Sequence, residues 1–346
     1  MSLNTKPKLS VVIPTLGRSI LLRTVQSLAV TDMADELDVI IAGHIQNETL
    51  LNQINLISAV FASFKMLSIS FSSGDSSNKK NAGLAEASTE IVAFLDDDVH
   101  VAHDWPQFVL KAFEKPEVGM VSGPSLVPDD LPVMARLSGM ALASSAAGYV
   151  SERYWKGQAG ERIIKWSRII GCNMAFRKSV IKQIGAFDPK FWPGEEMVVA
   201  YQVYKRGYLI VFQPDAWVYH YPRATLWGFV RQIFGYGATR IRLNREGLEF
   251  EPMTIMPALW VASLCFLGIG ALFCRFLYYL FVLEILLYLV FDIGVTLMTI
   301  VKTKKPINLL LVFIIPIMHI CYGIAEWFEL CCPNKDLSEN PRKGNG

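Results

Sequence analysis

Ile91-Val92-Ala93-Phe94-Leu95-Asp96-Asp97-Asp98-Val99 decides how the rest of the chain is read. Five apolar residues in a row read as a strand buried on both faces, as in a parallel sheet. Three consecutive carboxylates stand where such a strand leaves the sheet, and open α/β sheets bind ligands at the carboxyl ends of their strands. Adjacent anions repel one another, and a bound divalent cation reverses that repulsion. Hard oxygen ligands suit Mg2+ or Mn2+, ions that commonly bridge a protein to a diphosphate. The competing reading is an acidic, solvated turn after a core strand.

Working outward, the segments on either side alternate between strand and helix patterns. Leu9 to Ile13 is a buried strand ended by Pro14-Thr15-Leu16-Gly17-Arg18, and Ser19 can cap a helix reaching Ala29. Leu37 to Ala42 is a second strand, and Leu50, Leu51, Ile54, Ile57 and Phe61 have helical spacing within Asn47 to Leu67. Leu67 to Phe71 reads as a third strand and Ser77 to Glu86 as a helix. This alternation implies βαβ units and a mostly parallel, Rossmann-like sheet. Beyond the acidic stretch, Gly119 to Gly123 reads as a strand and Met134 to Tyr149 as helical. Gly171 to Arg177 is a strand crossing near the site. Trp192-Pro193-Gly194 is a turn delivering Glu195-Glu196 to a helix ending near Gly207, where the helix dipole alone favours carboxylates. Leu209 to Phe212 and Trp217 to Tyr221 are the closing strands, and His100 and His103 are loop residues.

The 346 residues are 52% hydrophobic and carry a net charge of +2. So small a charge argues against nucleic acid as a partner, which needs a basic field. The six cysteines show neither metal-ligand nor redox spacing, which fits a reduced compartment. Met1 to Ser10 is polar and leads into a strand, so no signal peptide is expected. The mean hydropathy of +0.33 is concentrated between Pro252 and Trp327. Met256 to Cys274, Phe276 to Val301 and Ile307 to Trp327 are each long enough to cross a bilayer. Before them, Leu226, Phe229, Val230, Ile233, Phe234 and Gly237 share a helical face flanked by Arg223, Arg231, Arg240, Arg242 and Arg245. Such a basic amphipathic helix lies at a membrane surface or packs on the preceding domain. The basic loop Lys302 to Lys305 on the cytosolic side gives three crossings by the positive-inside rule. Glu284 and Asp292, inside the second span, either brace the bundle or hold a polar head group. The expected organisation is an α/β domain over 1–222, an interfacial helix region over 223–252, a membrane region over 253–330 and a polar tail over 331–346.

Several motifs, in order, resemble family 2 of the inverting, nucleotide-sugar-dependent glycosyltransferases, which have the GT-A fold. Val11-Val12-Ile13-Pro14-Thr15 is similar to that family's first strand and nucleotide-contacting turn. Asn78-Lys79-Lys80-Asn81-Ala82-Gly83 resembles its Ala-x-Arg-Asn-x-Gly segment, and Asp96-Asp97-Asp98 its Asp-x-Asp metal motif. Gly171-Cys172-Asn173-Met174-Ala175-Phe176 and Ile184-Gly185-Ala186-Phe187-Asp188 resemble its acceptor-side motif. Gly194-Glu195-Glu196, followed by Arg206-Gly207-Tyr208, resembles its Glu-Asp helix. Two departures stand out. Ala42-Gly43-His44-Ile45 replaces the family's base-recognising Asp-Asp-Gly-Ser turn, and Glu-Glu replaces the Glu-Asp pair.

The resemblance implies roles. Glu196 is the expected base, with Glu195 the alternative. Asp98 is the expected ligand of a Mg2+ or Mn2+ ion. Asp96 is a partner of the ribose or sugar and a second ligand, and His220 is either a further ligand or a structural residue. Pro14, Thr15, Lys80 and Asp97 are expected on the donor side, Lys80 against a phosphate, unless Asp97 is simply solvated and Lys80 an ordinary surface lysine. The implied activity is transfer of a sugar from a nucleoside diphosphate donor to a lipid-linked or membrane-associated acceptor by a multi-pass membrane protein with its catalytic domain in the cytoplasm. A processive polysaccharide synthase is one rival, although the Gln-x-x-Arg-Trp motif of such relatives is absent. An inactive scaffold of a glycan-assembly complex is the other.

Overall fold

A computed structural model describes residues 6–69, 75–157 and 160–333. They form two compact units, one of 6–126 with 152–221 and one of 127–151 with 222–333. The stretch 127–151, expected inside the α/β domain, therefore belongs to the helical unit.

The first unit begins with β1 (Leu9–Pro14), α1 (Leu21–Ala29), β2 (Leu37–Ala42), α2 (Glu48–Ile57), β3 (Ser63–Leu67), α3 (Asp75–Glu86) and β4 (Ile91–Leu95). It continues through β5 (Val99–Val101), α4 (Trp105–Ala112), β6 (Val118–Ser122) and β7 (Ser125–Leu126). The chain then runs through α5 (Val133–Ala143) of the helical unit and returns as β8 (Arg162–Ile163), β9 (Asn173–Arg177) and α6 (Lys178–Gln183). The last elements of the first unit are α7 (Glu195–Lys205), β10 (Leu209–Phe212) and β11 (Val218–His220). Eight strands make one sheet in the order β3-β2-β1-β4-β9-β6-β10-β8, and β5-β11-β7 make a second. β3, β2, β1 and β4 are parallel, whereas β9 runs antiparallel between β4 and β6.

The order reverses between β1 and β4, so a crevice opens at their carboxyl ends, where open sheets take ligands. Val12 is level with Phe94, which brings the turn after Pro14 beside Asp96 to Asp98. β1, β2 and β4 are buried on both faces, as their unbroken apolar runs require. On one face Leu21, Val25 and Leu28 of α1 join the core. Phe94, Phe176 and Phe187 meet edge-on at 5.0–6.0 Å, each pair worth about 0.5–1.5 kcal/mol beyond its buried area. α3 buries polar residues, Ser77, Lys79 and Lys80 among them. Its close approach is set by Gly83, where a Cβ would stand 2.3 Å from Val12 Cγ1.

Several elements differ from the sequence reading. α1 starts at Leu21 with no side-chain cap, so Ser19 does not cap it. The third strand is Ser63–Leu67, and 70–71 of the expected strand lie outside the described residues. Its half-exposed side chains gave it too weak an apolar signal beside the run that follows. The helix expected over Met134 to Tyr149 ends at Ala143, and a 3-10 segment with Gly148 at φ 59° follows. His100 lies within β5, its backbone paired with Tyr219, rather than in a loop.

The helical unit holds α5, α8 (Leu226–Arg245), α9 (Met256–Gly270), α10 (Arg275–Thr303) and α11 (Leu311–Cys331). α10 by itself, and α9 and α11 with their 3-10 leads, are, among the described residues, long and apolar enough to cross a membrane. α8 buries Phe229 and Ile233 as its apolar spacing predicts, but it also buries Arg240 and packs on α11. The arginines therefore do not all stay outside the buried face. Arg240 donates to the Tyr149 hydroxyl at 3.0 Å, and Arg242 and Arg245 bind Glu329 at 3.3 and 3.1 Å.

Candidate active site

The acidic turn after β4 is not a solvated bend. Asp97 is 4% exposed and both its oxygens accept from the first turn: Oδ2 from Thr15 Oγ1 at 2.7 Å and Leu16 N at 3.3 Å, Oδ1 from Arg18. Arg18 also reaches Asp98 Oδ2 at 3.1 Å. Thr15 accepts from Gly17 N at 2.9 Å, and its carbonyl accepts from the buried Lys79 at 2.6 Å. Lys79 is held in turn by Asp75. The Pro14-Thr15 turn is thus locked onto both α3 and the acidic turn.

Asp96, Asp98 and His220 bring one ligand atom each within 4.8 Å of one another. His220 stands at the end of β11, Nε2 3.2 Å from Asp98 Oδ1, because β11 pairs antiparallel with β5 and returns beside the acidic turn. Burial raises the pKa of Asp96, and Asp98 beside it raises it further against the opposing pull of Lys80. The cluster is short of positive charge, and two carboxylates with an imidazole are a donor set that fits Mn2+ or Mg2+.

The two glutamates at the start of α7 occupy different surroundings. Glu195 is 3% exposed, with Oε1 2.8 Å from Lys80 Nζ and Oε2 accepting from Gly194 N at 3.1 Å. Burial opposes the Lys80 charge, but Glu195, Glu196 and Asp96 outweigh it and raise its pKa. Lys80 is thus neither a surface lysine nor unpaired. Glu196 has its pKa pushed up to about 7, first by burial and then by Glu195, while Lys80 opposes. Its carboxyl packs on Gly171, where a Cβ would stand 3.2 Å from Glu196 Cγ and 3.5 Å from Oε1. The neighbouring Cys172 carbonyl accepts from Asp96 N at 3.4 Å. One short turn, Gly171–Cys172, thereby touches both the acidic cluster and Glu196.

Two asparagines hold this arrangement. Asn81 of α3 donates to the Phe187 carbonyl at 2.6 Å and accepts from its N–H at 3.0 Å. Asn173 accepts from Trp105 Nε1 at 3.0 Å and donates to the carbonyls of Ala216 at 2.8 Å and Pro124 at 3.2 Å. Sequence reasoning missed Arg18 as part of the site, and it placed Gly171 in the acceptor-side motif without its contact to Glu196. Arg18 could have been found from strand adjacency, since it follows β1 as the carboxylates follow β4.

The mixed α/β core, with its large and mostly parallel sheet, is like that of GT-A glycosyltransferases. A mannosyltransferase from Pyrobaculum calidifontis, solved with GDP-Man and Mn2+, superposes with a TM-score of 0.63 over 94% of this chain and 88% of its own, at 14% identity. At that identity the likeness concerns the fold. Residues 7–235 match the family described as "Glycosyltransferase like family 2", and the chain belongs to that family. It is therefore a glycosyltransferase.

Among relatives, a pre-mycofactocin glycosyltransferase of Mycobacterium tuberculosis is 30% identical over 202 residues, 56% of this chain and 41% of the relative. A poly-beta-1,6-N-acetyl-D-glucosamine synthase of Staphylococcus aureus is 25% identical over 173 residues, 50% of this chain and 38% of the relative. The chain thus spans about two fifths of the length of these curated relatives.

Proposed function

We propose that the protein is a membrane-anchored inverting transferase that moves a sugar from a nucleoside diphosphate donor to a lipid-linked or membrane-associated acceptor, with its α/β unit in the cytoplasm. The observation that carries this is the Gly171–Cys172 turn, which holds a carboxyl of pKa about 7 beside a cluster of ligands fit for a divalent cation.

The acceptor hydroxyl attacks the anomeric carbon as the bond to the diphosphate oxygen breaks, and Glu196 takes the hydroxyl proton. A base with a pKa near the working pH serves this best. Glu195 is committed to Lys80, so its role is to hold that ammonium and the start of α7. Asp96, Asp98 and His220 would hold the cation, whose charge offsets that of the departing diphosphate. Pro14 and Thr15 line the donor side of the crevice. Asp97, saturated by Thr15, Leu16 and Arg18, braces that wall instead of contacting the donor. With His44 in place of the family's acidic turn, the base is recognised by other means. Anchoring near the bilayer raises the effective concentration of a lipid-borne acceptor.

The test is a panel of nucleotide sugars with Mn2+, read first as thermal stabilisation and then as transfer to lipid extracts. Stabilisation by none of the donors would overturn the reading. Donor binding without hydrolysis or transfer would favour the scaffold.

A further inference from the structure

Contacts inside the helical unit bear on how many times the chain crosses the bilayer. α9 and α10 form an antiparallel hairpin. A Cβ at Gly270 would meet Leu277 and one at Gly268 would meet Phe281, while nearer the start of α9 Trp260 stacks on Tyr288 at 4.0 Å. At the tip Leu272 and Phe273 are 79% and 84% exposed, and Arg275 donates to the Tyr279 hydroxyl at 2.9 Å. Arginine and tyrosine together mark a membrane–water boundary.

α11 leaves the other end of α10, and by His319 it has come level with Tyr288, at 2.9 Å, and Trp260. A third crossing would continue from there alongside α9 toward the hairpin tip. The contacts do not follow that course. A Cβ at Gly323 would stand 2.4 Å from the Pro257 carbonyl oxygen, and Trp327 Nε1 donates to the Ala258 carbonyl at 2.8 Å. Both partners lie in the first turn of α9. Phe328 then meets Phe234 of α8 at 5.8 Å, and Glu329 meets Arg242 and Arg245. The last third of α11 stays at the level where α9 begins.

Those contacts do not follow the course of a third crossing by α11. Had α11 crossed by Gly323, α9 would start on the far side. Its 15 residues would then carry the apolar hairpin roughly 22 Å onward into water. With α9 and α10 as the only crossings, the distance from Arg275 to Asp292 is roughly 25 Å at 1.5 Å per residue, close to a hydrocarbon thickness of about 30 Å. Asp292 and the arginines bound to Glu329 then lie near the boundary, where charge is tolerated. α8 carries the marks of that boundary, with Trp227 63% exposed beneath Arg231 at 5.1 Å and Tyr236 43% exposed.

We infer that the chain crosses the bilayer twice, as the α9–α10 hairpin, and that α8 and the C-terminal half of α11 form a platform lying in the leaflet from which α9 enters. Its apolar side, with Trp227, Ile324, Phe328 and Leu330 exposed, sits among acyl chains, and its arginines meet anionic head groups.

Two native thiols decide the matter. Cys274 lies at the hairpin tip and Cys331 at the end of α11, both exposed. Two crossings place them on opposite faces, and three place them on the same face. Full-length variants keeping either Cys274 or Cys331, with the other exposed or half-exposed cysteines changed to Ala and buried Cys172 retained, are labelled with an impermeant maleimide in right-side-out and inverted vesicles. Labelling in detergent gives the reactive total. The expected result is reaction of the two thiols in opposite vesicle types. Reaction of both in the same type overturns the inference. Protease access to an epitope fused behind Gly346 reads the same outcome without relying on thiol reactivity.

Discussion

Charge is arranged in opposite ways in the two units. In the α/β unit like charges are crowded: Asp96 beside Asp98, and Glu196 beside Glu195, each with a carboxyl forced toward its protonated form. In the helical unit Arg242 and Arg245 converge on one carboxylate, Glu329. Crowding is unfavourable until a cation or a proton relieves it, so it marks the place where we propose that the chemistry is done. Convergence is satisfied as it stands and marks a place where helices are held.

If that contrast is right, removing a charge from a crowded cluster should cost activity, and removing one from a matched ion pair should cost stability. The largest effect should come from the cation cluster. Asp98→Asn should lower transfer by about 10³-fold or more, since a cation's contribution is several kcal/mol, with little change in melting temperature. Chelator should do the same to the native protein, and Mn2+ or Mg2+ should restore it. Full activity in chelator would end the assignment.

Glu196→Gln should lower kcat by about 10²–10⁴, with donor affinity nearly unchanged. In the native protein a carboxyl of pKa about 7 accepts a proton only when ionised. Activity should therefore fall as pH drops through that value, and the inflection should vanish in the variant. A flat native profile would point away from Glu196.

Glu195→Gln tests the other half of the pair. It strands a lysine that is 5% exposed, so it should cost about 3–5 kcal/mol of stability, seen as an earlier unfolding transition. A variant that kept native stability and lost only turnover would exchange the two roles. The smallest effect is expected in the helical unit. Glu329→Gln should lower thermal stability in detergent by about 1 kcal/mol, because Arg245 is half exposed and keeps water, and the transfer rate should not change.

Much of this was legible in the sequence wherever a signal was local. Five apolar residues before three carboxylates placed β4 and its acidic turn, and the alternation around them gave the parallel half of the sheet. Signals were lost wherever partners are distant in sequence. Asp97 reads as one of three equivalent acids until β1 is set beside β4, and only then does its bond to Thr15 separate it. Glu195 and Glu196 are identical on paper. Lys80, 115 residues away, tells them apart. Hydropathy reports how apolar α11 is but not that its end packs against the start of α9.

The amide of Asn173 has one more implication. It sits on β9 of the large sheet yet binds residues flanking every strand of the small one: Trp105 after β5, Pro124 before β7 and Ala216 before β11. Asp96 and Asp98 follow a strand of the first sheet, and His220 ends a strand of the second. The span between carboxylate and imidazole is therefore held by the β5–β11 pairing and braced by a side chain that joins two sheets. A coordination shell built on such a stiff frame discriminates by ionic radius: it should accept Mn2+ or Mg2+ and disfavour the larger Ca2+, which needs longer bonds and more ligands.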